Sequence, residues 1–353
     1  MTRYKVLSVC LVLLALAGLP LAQAGEKKPE PFDVKDVAVR ISGPYAHENL
    51  TIFLLRGKDQ DDRNYLTLDQ GLDKKLVAIG EKKQAEVGEL QIENKSNRYL
   101  FLQEGDRLQG GQQDRIIVTS LVVPPRSGKR SVPSFCIEQA RWQGGVAFSS
   151  TSNKALADKG VRAAAKVTAG RGGQRAVWER VAQQKAVANI RLGSANTTSS
   201  LNEALDSPQV KKVCEACAKA LNGLVEKHKD AIGVAIAVNG NIEEVDIYPN
   251  HRLLARLYPR LVQSYAVQAA LEKKDKKKPA ALADDDVQKF MGGGKEMARR
   301  FERIDTDNRL RVRELTGRVV ECVTAYKGEP VHRQWLDNYV LEAPEGKKSE
   351  GKK

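Results

Sequence analysis

Short runs of β-branched and large apolar residues, each closed by turn formers, fill the first third of the chain and leave no room there for a long amphipathic helix. The runs are Val37–Ile41, Leu50–Leu55, Tyr65–Leu68, Glu89–Glu93, Tyr99–Leu102 and Arg115–Val123, the last closed by Pro124 and Pro125. One helix, about Gln70 to Val77, interrupts them. Residues 32–148 are therefore expected as a β-rich half. From Ser149 to Gly173 the sequence turns to Ala, Lys, Ser and Gly with weak periodicity, which predicts a flexible junction over 149–173.

Residues 174–341 mix the two periods. Gln174–Ile190 reads as a moderate helix. Ser207 is a natural N-cap, Pro208 suits the first helical position, and Val210, Val213, Cys214, Cys217, Leu221, Leu224 and Val225 recur at the spacing of one buried face. Gly233–Val238 and Ile242–Ile247 flank Asn239, Gly240 and Asn241, where positive φ is tolerated, so the chain reverses there as a β-hairpin. Arg252–Glu272 is a long helix in which Pro259 predicts a break. Asp286–Phe301 is expected to be helical, weakened by Gly292, Gly293 and Gly294. Leu310–Val312 and Arg318–Tyr326 close the fold as strands. The class is α+β: a β-rich N-terminal half followed by helices packed on a smaller mixed sheet with the hairpin.

The two ends point to location. Arg3 and Lys5 precede an apolar run, Val6–Leu21, and Ala22, Gln23 and Ala24 end it with small residues where a signal peptidase reads them. The run contains Gly18 and Pro20 and falls short of the roughly 20 residues of a membrane span. Cleavage after Ala24 is expected, with 25–31 as a short leader and the protein secreted or periplasmic. Cys10 lies inside the apolar run behind Val9, which does not fit a lipoprotein signal. No second stretch is apolar and long enough to span a bilayer.

The formal net charge of +14 favours anionic partners, an anionic ligand or an envelope polymer among them. Aromatic residues are only 5% of the chain, and no basic stripe is interleaved with rings that could stack bases, so no nucleic-acid motif is read. The densest basic run, within 272–284, is followed by Pro279 and reads as a solvated linker. Residues 342–353, almost wholly Gly, Lys, Glu and Ser, read as a disordered tail. Nothing in the sequence sets an oligomeric state.

Familiar catalytic spacings are not met. Cys214 and Cys217 have redox-motif spacing, but no second pair supplies a zinc site and both fall on the apolar stripe of their helix. Export leaves the disulfide state of Cys136, Cys214, Cys217 and Cys322 open. His47, His228, His251 and His332 are scattered. The stretch from Asp305 looks like a calcium loop but fails at Arg309, Leu310 and Thr316, which occupy its fifth, sixth and twelfth positions. Gly292–Lys295 lacks the phosphate-loop spacing. No metal and no cofactor is predicted.

Two stretches are chemically dense. Leu102–Arg115 leaves one strand, makes a Gly-rich turn containing Glu104, Gly105 and Asp106, and enters the next strand through Gln113, Asp114 and Arg115. Pro133–Trp142 gathers Cys136, Glu138, Gln139, Arg141 and Trp142; in an extended segment Cys136 and Glu138 share one face. These residues resemble the signature of the ARG and Rhodanese-Phosphatase-superfamily Associated Protein domain, with its Leu-x-Gly-Glu turn, Gln-Asn-Arg and Cys-x-Glu-Gln-Gly-Arg-Trp run. Tyr65–Gln70 and the hairpin with Val245 and Asp246 fit as well, so the resemblance spans roughly 32–340. Asp114 stands where the family has Asn, Ala140 where it has Gly, and Glu104-Gly105-Asp106 replaces Gly-Glu. The family's name records association with ADP-ribosylglycohydrolases and phosphatase-like proteins, so the resemblance implies a link to NAD or ADP-ribose metabolism and no mechanism.

Two functions stay open. One is a binding or structural module of the cell envelope. The other is an enzyme or binder acting on a phosphate-bearing or ADP-ribose-like ligand. In it Arg115 and Arg141 clamp anionic oxygens, with Gln113, Gln139 and Trp142 beside them. Glu104, Asp106 or Glu138 is the general base and Cys136 the nucleophile. An open cleft joining these side chains would favour the second function; burial would make them structural.

Overall fold

The computed structural model describes residues 32, 36–82, 88–139, 146–151, 154–167, 173–193, 199–273 and 281–337. The expected signal, leader and tail, and most of the basic linker, lie outside these residues. The first half contains β1 (Arg40–His47), β2 (Leu50–Arg56), β3 (Tyr65–Thr67), α1 (Leu68–Asp73), β4 (Val77–Gly80), β5 (Glu89–Asn94), β6 (Tyr99–Leu102), β7 (Arg107–Gln109), β8 (Arg115–Ile117), β9 (Leu121–Val123), β10 (Arg130–Cys136) and β11 (Ser149–Ser150). The helices α2 (Lys159–Val167), α3 (Gly173–Leu192), α4 (Leu201–Leu205), α5 (Pro208–Leu221) and α6 (Leu224–Lys227) follow. The chain continues through β12 (Ala231–Val238), β13 (Asn241–Ile247), α7 (His251–Glu272), α8 (Asp284–Gly292), β14 (Glu296–Arg303), β15 (Asn308–Leu315), β16 (Val319–Tyr326) and β17 (Glu329–Asp337).

Three sheets result, in the orders β1-β2-β12-β13-β17-β16-β15-β14, β11-β7-β8-β10-β5-β4 and β3-β6-β9. The eight-stranded sheet is antiparallel throughout. The α+β class and the strand-rich first half stand. The sheet of the second half is larger than its own strands suggested, because β2 crosses over to pair with β12 and brings β1 with it as the edge strand. Every residue of β12 is buried. It reads as a continuous apolar run because both its faces are covered, as in a strand deep in a layered core. On one face Leu50, Ile52, Leu54, Val234 and Ile236 meet Leu254, Leu257, Tyr258, Leu261 and Tyr265 of α7, with α5 behind.

Local chemistry sets the ends of these elements. Asn239 and Gly240 take φ of 53° and 81° at the hairpin turn. Ser207 accepts from the Val210 amide at the start of α5. Asn250 caps α7 by accepting from Leu253 N (2.9 Å), while its own amide donates to Asp61 Oδ1 (2.6 Å).

Several expectations are corrected. α7 runs unbroken through Pro259, because buried side chains before and after the proline pin both segments against the sheet. The helix expected up to Phe301 stops at Gly292, and Glu296–Arg303 is a strand. Gly292, Gly293 and Gly294 each cost helix conformational entropy, and together they end it. Arg115–Val123 is two strands in different sheets, not one. The interval 149–173 was expected to be a flexible junction but carries α2, whose Val161, Arg162, Ala165 and Lys166 are buried. Its Ala-rich, cationic composition hides a helix whose partners are carboxylates far along the chain. Among the described residues no helix is long and apolar enough to cross a membrane.

Candidate functional site

The Gly-rich turn is shaped to let α2 lie across it. Gly105 has φ +78°, and a Cβ there would collide with the Arg162 side chain. Arg162 Nη1 donates to Glu104 Oε1 (3.2 Å) and Glu244 Oε1 (2.6 Å), and Nη2 to Glu244 Oε2 (2.6 Å). Lys166 pairs with Glu104 and donates to Gln334 Oε1 (2.5 Å). The Gln334 amide donates to Glu244 Oε1 (2.8 Å) and Asp246 Oδ1 (3.2 Å). Asp246 also holds His332 Nε2 (2.9 Å) and accepts from the Tyr265 hydroxyl (3.0 Å).

Glu104, Arg162, Lys166, Glu244, Asp246, His332 and Gln334 are each at most 2% exposed. Burial opposes the Glu104 charge, yet Lys166 and Arg162 hold its carboxyl below the ordinary range. Burial, opposed by Arg162 and reinforced by Asp246, pushes Glu244 up. Three carboxylates share two permanent cations here, and Glu244 is the member driven toward its protonated form.

The other sequence-predicted residues lie elsewhere. Asp106 pairs with Arg260 and accepts from Gln103 N (2.9 Å); burial raises its carboxyl against the pull of Arg260. Arg115 is fully buried and donates to Glu81 Oε1 (3.3 Å). It stands opposite Cys136 in the β8–β10 pair. The Cys136 backbone exchanges two 2.8 Å hydrogen bonds with the Gln174 side chain, and burial pushes its thiol up to about 11. Glu138 accepts from Asp114 N (3.4 Å), and Gln113 is buried. Gln139 is exposed. Arg141 and Trp142 lie outside the described residues. Glu104, Asp106, Gln113, Arg115 and Cys136 thus fall at three separate points of the core and do not converge in an open cleft. A buried thiol held this far from its thiolate is a poor nucleophile.

The opposite face of the eight-stranded sheet is different. Strands β14, β15, β16 and β17 carry seven arginines and no lysine. The two-residue period places Arg299, Phe301 and Arg303 of β14 directly opposite Arg313, Arg311 and Arg309 of β15. Arg333 of β17 lies two strands over, opposite Val323, which in turn faces Arg311. Glu296 Oε2 accepts from Arg299 (2.6 Å) and Arg313 (2.7 Å), and Glu321 Oε2 accepts from Arg311 (3.1 Å) and Arg313 (3.0 Å).

Arg311 is buried with its Nε unpartnered, and burial, only partly offset by Glu321, holds its pKa below the ordinary arginine value. The Arg299 side chain is 47% exposed and Arg303 is exposed. Phe301 packs edge-on against Phe32 (ring centroids 5.9 Å), and Trp335 is buried. The strand expected at Leu310–Val312 is present as part of β15, while the arginine alternation of Arg309, Arg311 and Arg313 along it had not been read as a charged face.

No curated protein and no solved structure matches the chain. The family profile described as the ARG and Rhodanese-Phosphatase-superfamily-associated Protein domain matches residues 38–336. That interval takes in all three sheets, the buried network and the arginine face, and the chain belongs to this family.

Proposed function

We propose that the protein is a binding module of the cell envelope, exported by its N-terminal signal, whose arginine face takes an acidic envelope polymer. One observation carries this reading: Arg299 opposes Arg313 and Arg303 opposes Arg309 directly across two strands. Like charges so placed destabilise a sheet, and only Glu296 and Glu321 are bonded to Arg299, Arg311 and Arg313 on this face among the described residues. A polymer bearing carboxylates or phosphodiesters lowers the repulsion between these opposed guanidinium groups, and the planar guanidinium fork takes such oxyanions two bonds at a time. Nucleic acid fits less well. The rings on this face, Phe301 and Trp335, are packed against Phe32 and into the core and offer no stacking platform.

The test is binding of polygalacturonate to the full chain, with neutral dextran and single-stranded DNA alongside. Polygalacturonate is expected to bind and to weaken steeply between about 50 and about 200 mM salt. The Arg299→Gln/Arg313→Gln double variant should lose about tenfold in affinity. Equal binding of dextran, a preference for DNA, or an undiminished double variant would each refute the proposal.

A further inference from the structure

The two edges of the eight-stranded sheet are finished differently. On one side β1 contains Pro44, its register with β2 slips between Ser42 and Tyr45, and α5 and α8 pack against it. Prolines, bulges and covering helices keep further strands from adding to an edge. On the other side β14 has eight residues and no proline, and its register with β15 slips only at the start, between Glu296 and Ala298.

The free side of β14 can be assigned group by group. Just beyond the Arg303–Arg309 pair, Ile304 N donates to Asn308 O (3.0 Å). Bonded and non-bonded pairs alternate along an antiparallel ladder, so Arg300 and Glu302 bond β15, while the N–H and C=O of Arg299, Phe301 and Arg303 point away from it. Among the described residues these outward groups take no hydrogen bond from within the chain, and Phe32 packs on the Phe301 ring without bonding its backbone. Such a row of unpaired backbone groups is a template for one more strand.

The side chains say which strand fits. Arg299, Phe301 and Arg303 share the arginine face in the order cation, ring, cation, and both arginines are exposed. Met297, next along the strand, is 62% exposed. A strand laid antiparallel on this edge sets its residues directly opposite these. Carboxylates there relieve Arg299 and Arg303, and an apolar side chain midway between them meets Phe301 and Phe32. A second copy fits less well: paired about the middle of β14, it sets Arg299 or Arg300 against its own counterpart.

We infer that β14 takes an extended acidic peptide of another protein as a ninth strand, with the pattern acidic-x-apolar-x-acidic. The backbone ladder supplies affinity and the alternate side chains supply the choice of sequence. The inference does not rest on the polymer-binding reading, since a polysaccharide offers no amide ladder.

The test is titration of the full chain with the capped peptide Glu-Thr-Val-Thr-Glu-Thr. It should bind saturably and, at saturation, slow amide exchange at Arg299, Phe301 and Arg303 about tenfold or more. N-methylation of its valine and second glutamate keeps charge and side chains and should weaken binding about tenfold. Lysine in place of both glutamates should abolish it. The inference is overturned if the peptide does not bind saturably, or if the methylated or the lysine peptide binds as well. It is also overturned if the free chain self-associates with these amides already protected, which would give the edge to a second copy. Binding that left the three amides fast would overturn it too, and would leave the polymer-binding reading untouched.

Discussion

The two faces of the eight-stranded sheet carry charge in opposite ways, and β17 supplies both. His332 and Gln334 point inward to the network of Glu104, Arg162, Lys166, Glu244 and Asp246, while Arg333, between them, belongs to the arginine face. Inside, where desolvation is severe, each charge is tied to at least one opposite charge or amide, and the cations come from a helix laid across the turn. Outside, arginines face arginines across a strand pair. The inner network ties each charge to a partner, whereas the outer strands set guanidinium groups directly against one another and carry some exposed and some, like Arg311, buried.

The sharpest way to break this comparison is Arg162→Met. It leaves Glu104 and Glu244 without their shared cation and should cost about 3–5 kcal/mol in urea unfolding. A cost no larger than that of a surface arginine would mean that the network does not hold the fold. The acid limb of stability comes next. Glu104 is held below its unfolded value, so its contribution is present above the ordinary carboxylate pKa and is lost as pH falls through the folded one. Glu244 is shifted up, so its contribution has the opposite sign: present at low pH and lost as pH rises toward the folded value. Glu104→Gln should therefore flatten the acid limb of a stability–pH profile, and Glu244→Gln should flatten the fall above it.

A neutral site gives the scale. Ser207→Ala removes the cap of α5, far from either charged region, and should cost about 1 kcal/mol by thermal or urea unfolding. The smallest effect is expected on the outer face. Arg299→Gln should change stability by no more than about 0.5 kcal/mol, and relief of the opposed Arg313 biases the change toward stabilisation. A loss as large as that of Ser207→Ala would show that the arginine face is part of the framework.

What could be read in the sequence follows the same division between local and distant causes. The turn at Asn239 and Gly240 and the cap at Ser207 were legible, because backbone sign and side-chain reach act within a few residues. The helix over Lys159–Val167 was not. Its meaning lies in Glu104, Glu244 and Gln334, which are 58 to 168 positions from the arginine and lysine that bind them. β17 was missed because its polar alternation makes sense only between β13 and β16. Glu104, Asp106, Arg115 and Cys136 stood out as chemically dense, but that they are all buried, and that the three charged ones are paired, needs the third dimension.

The pairing of β2 with β12 also sets an order of events. β2 lies between β1 and β12, and Leu50 meets Val238 across that second seam. A two-stranded hairpin alone is marginal in water. The widest sheet therefore cannot close around its centre until the chain has been made as far as β12, and it is not complete until β17 arrives. Such long-range pairing is slow and leaves a late-closing, unsealed intermediate.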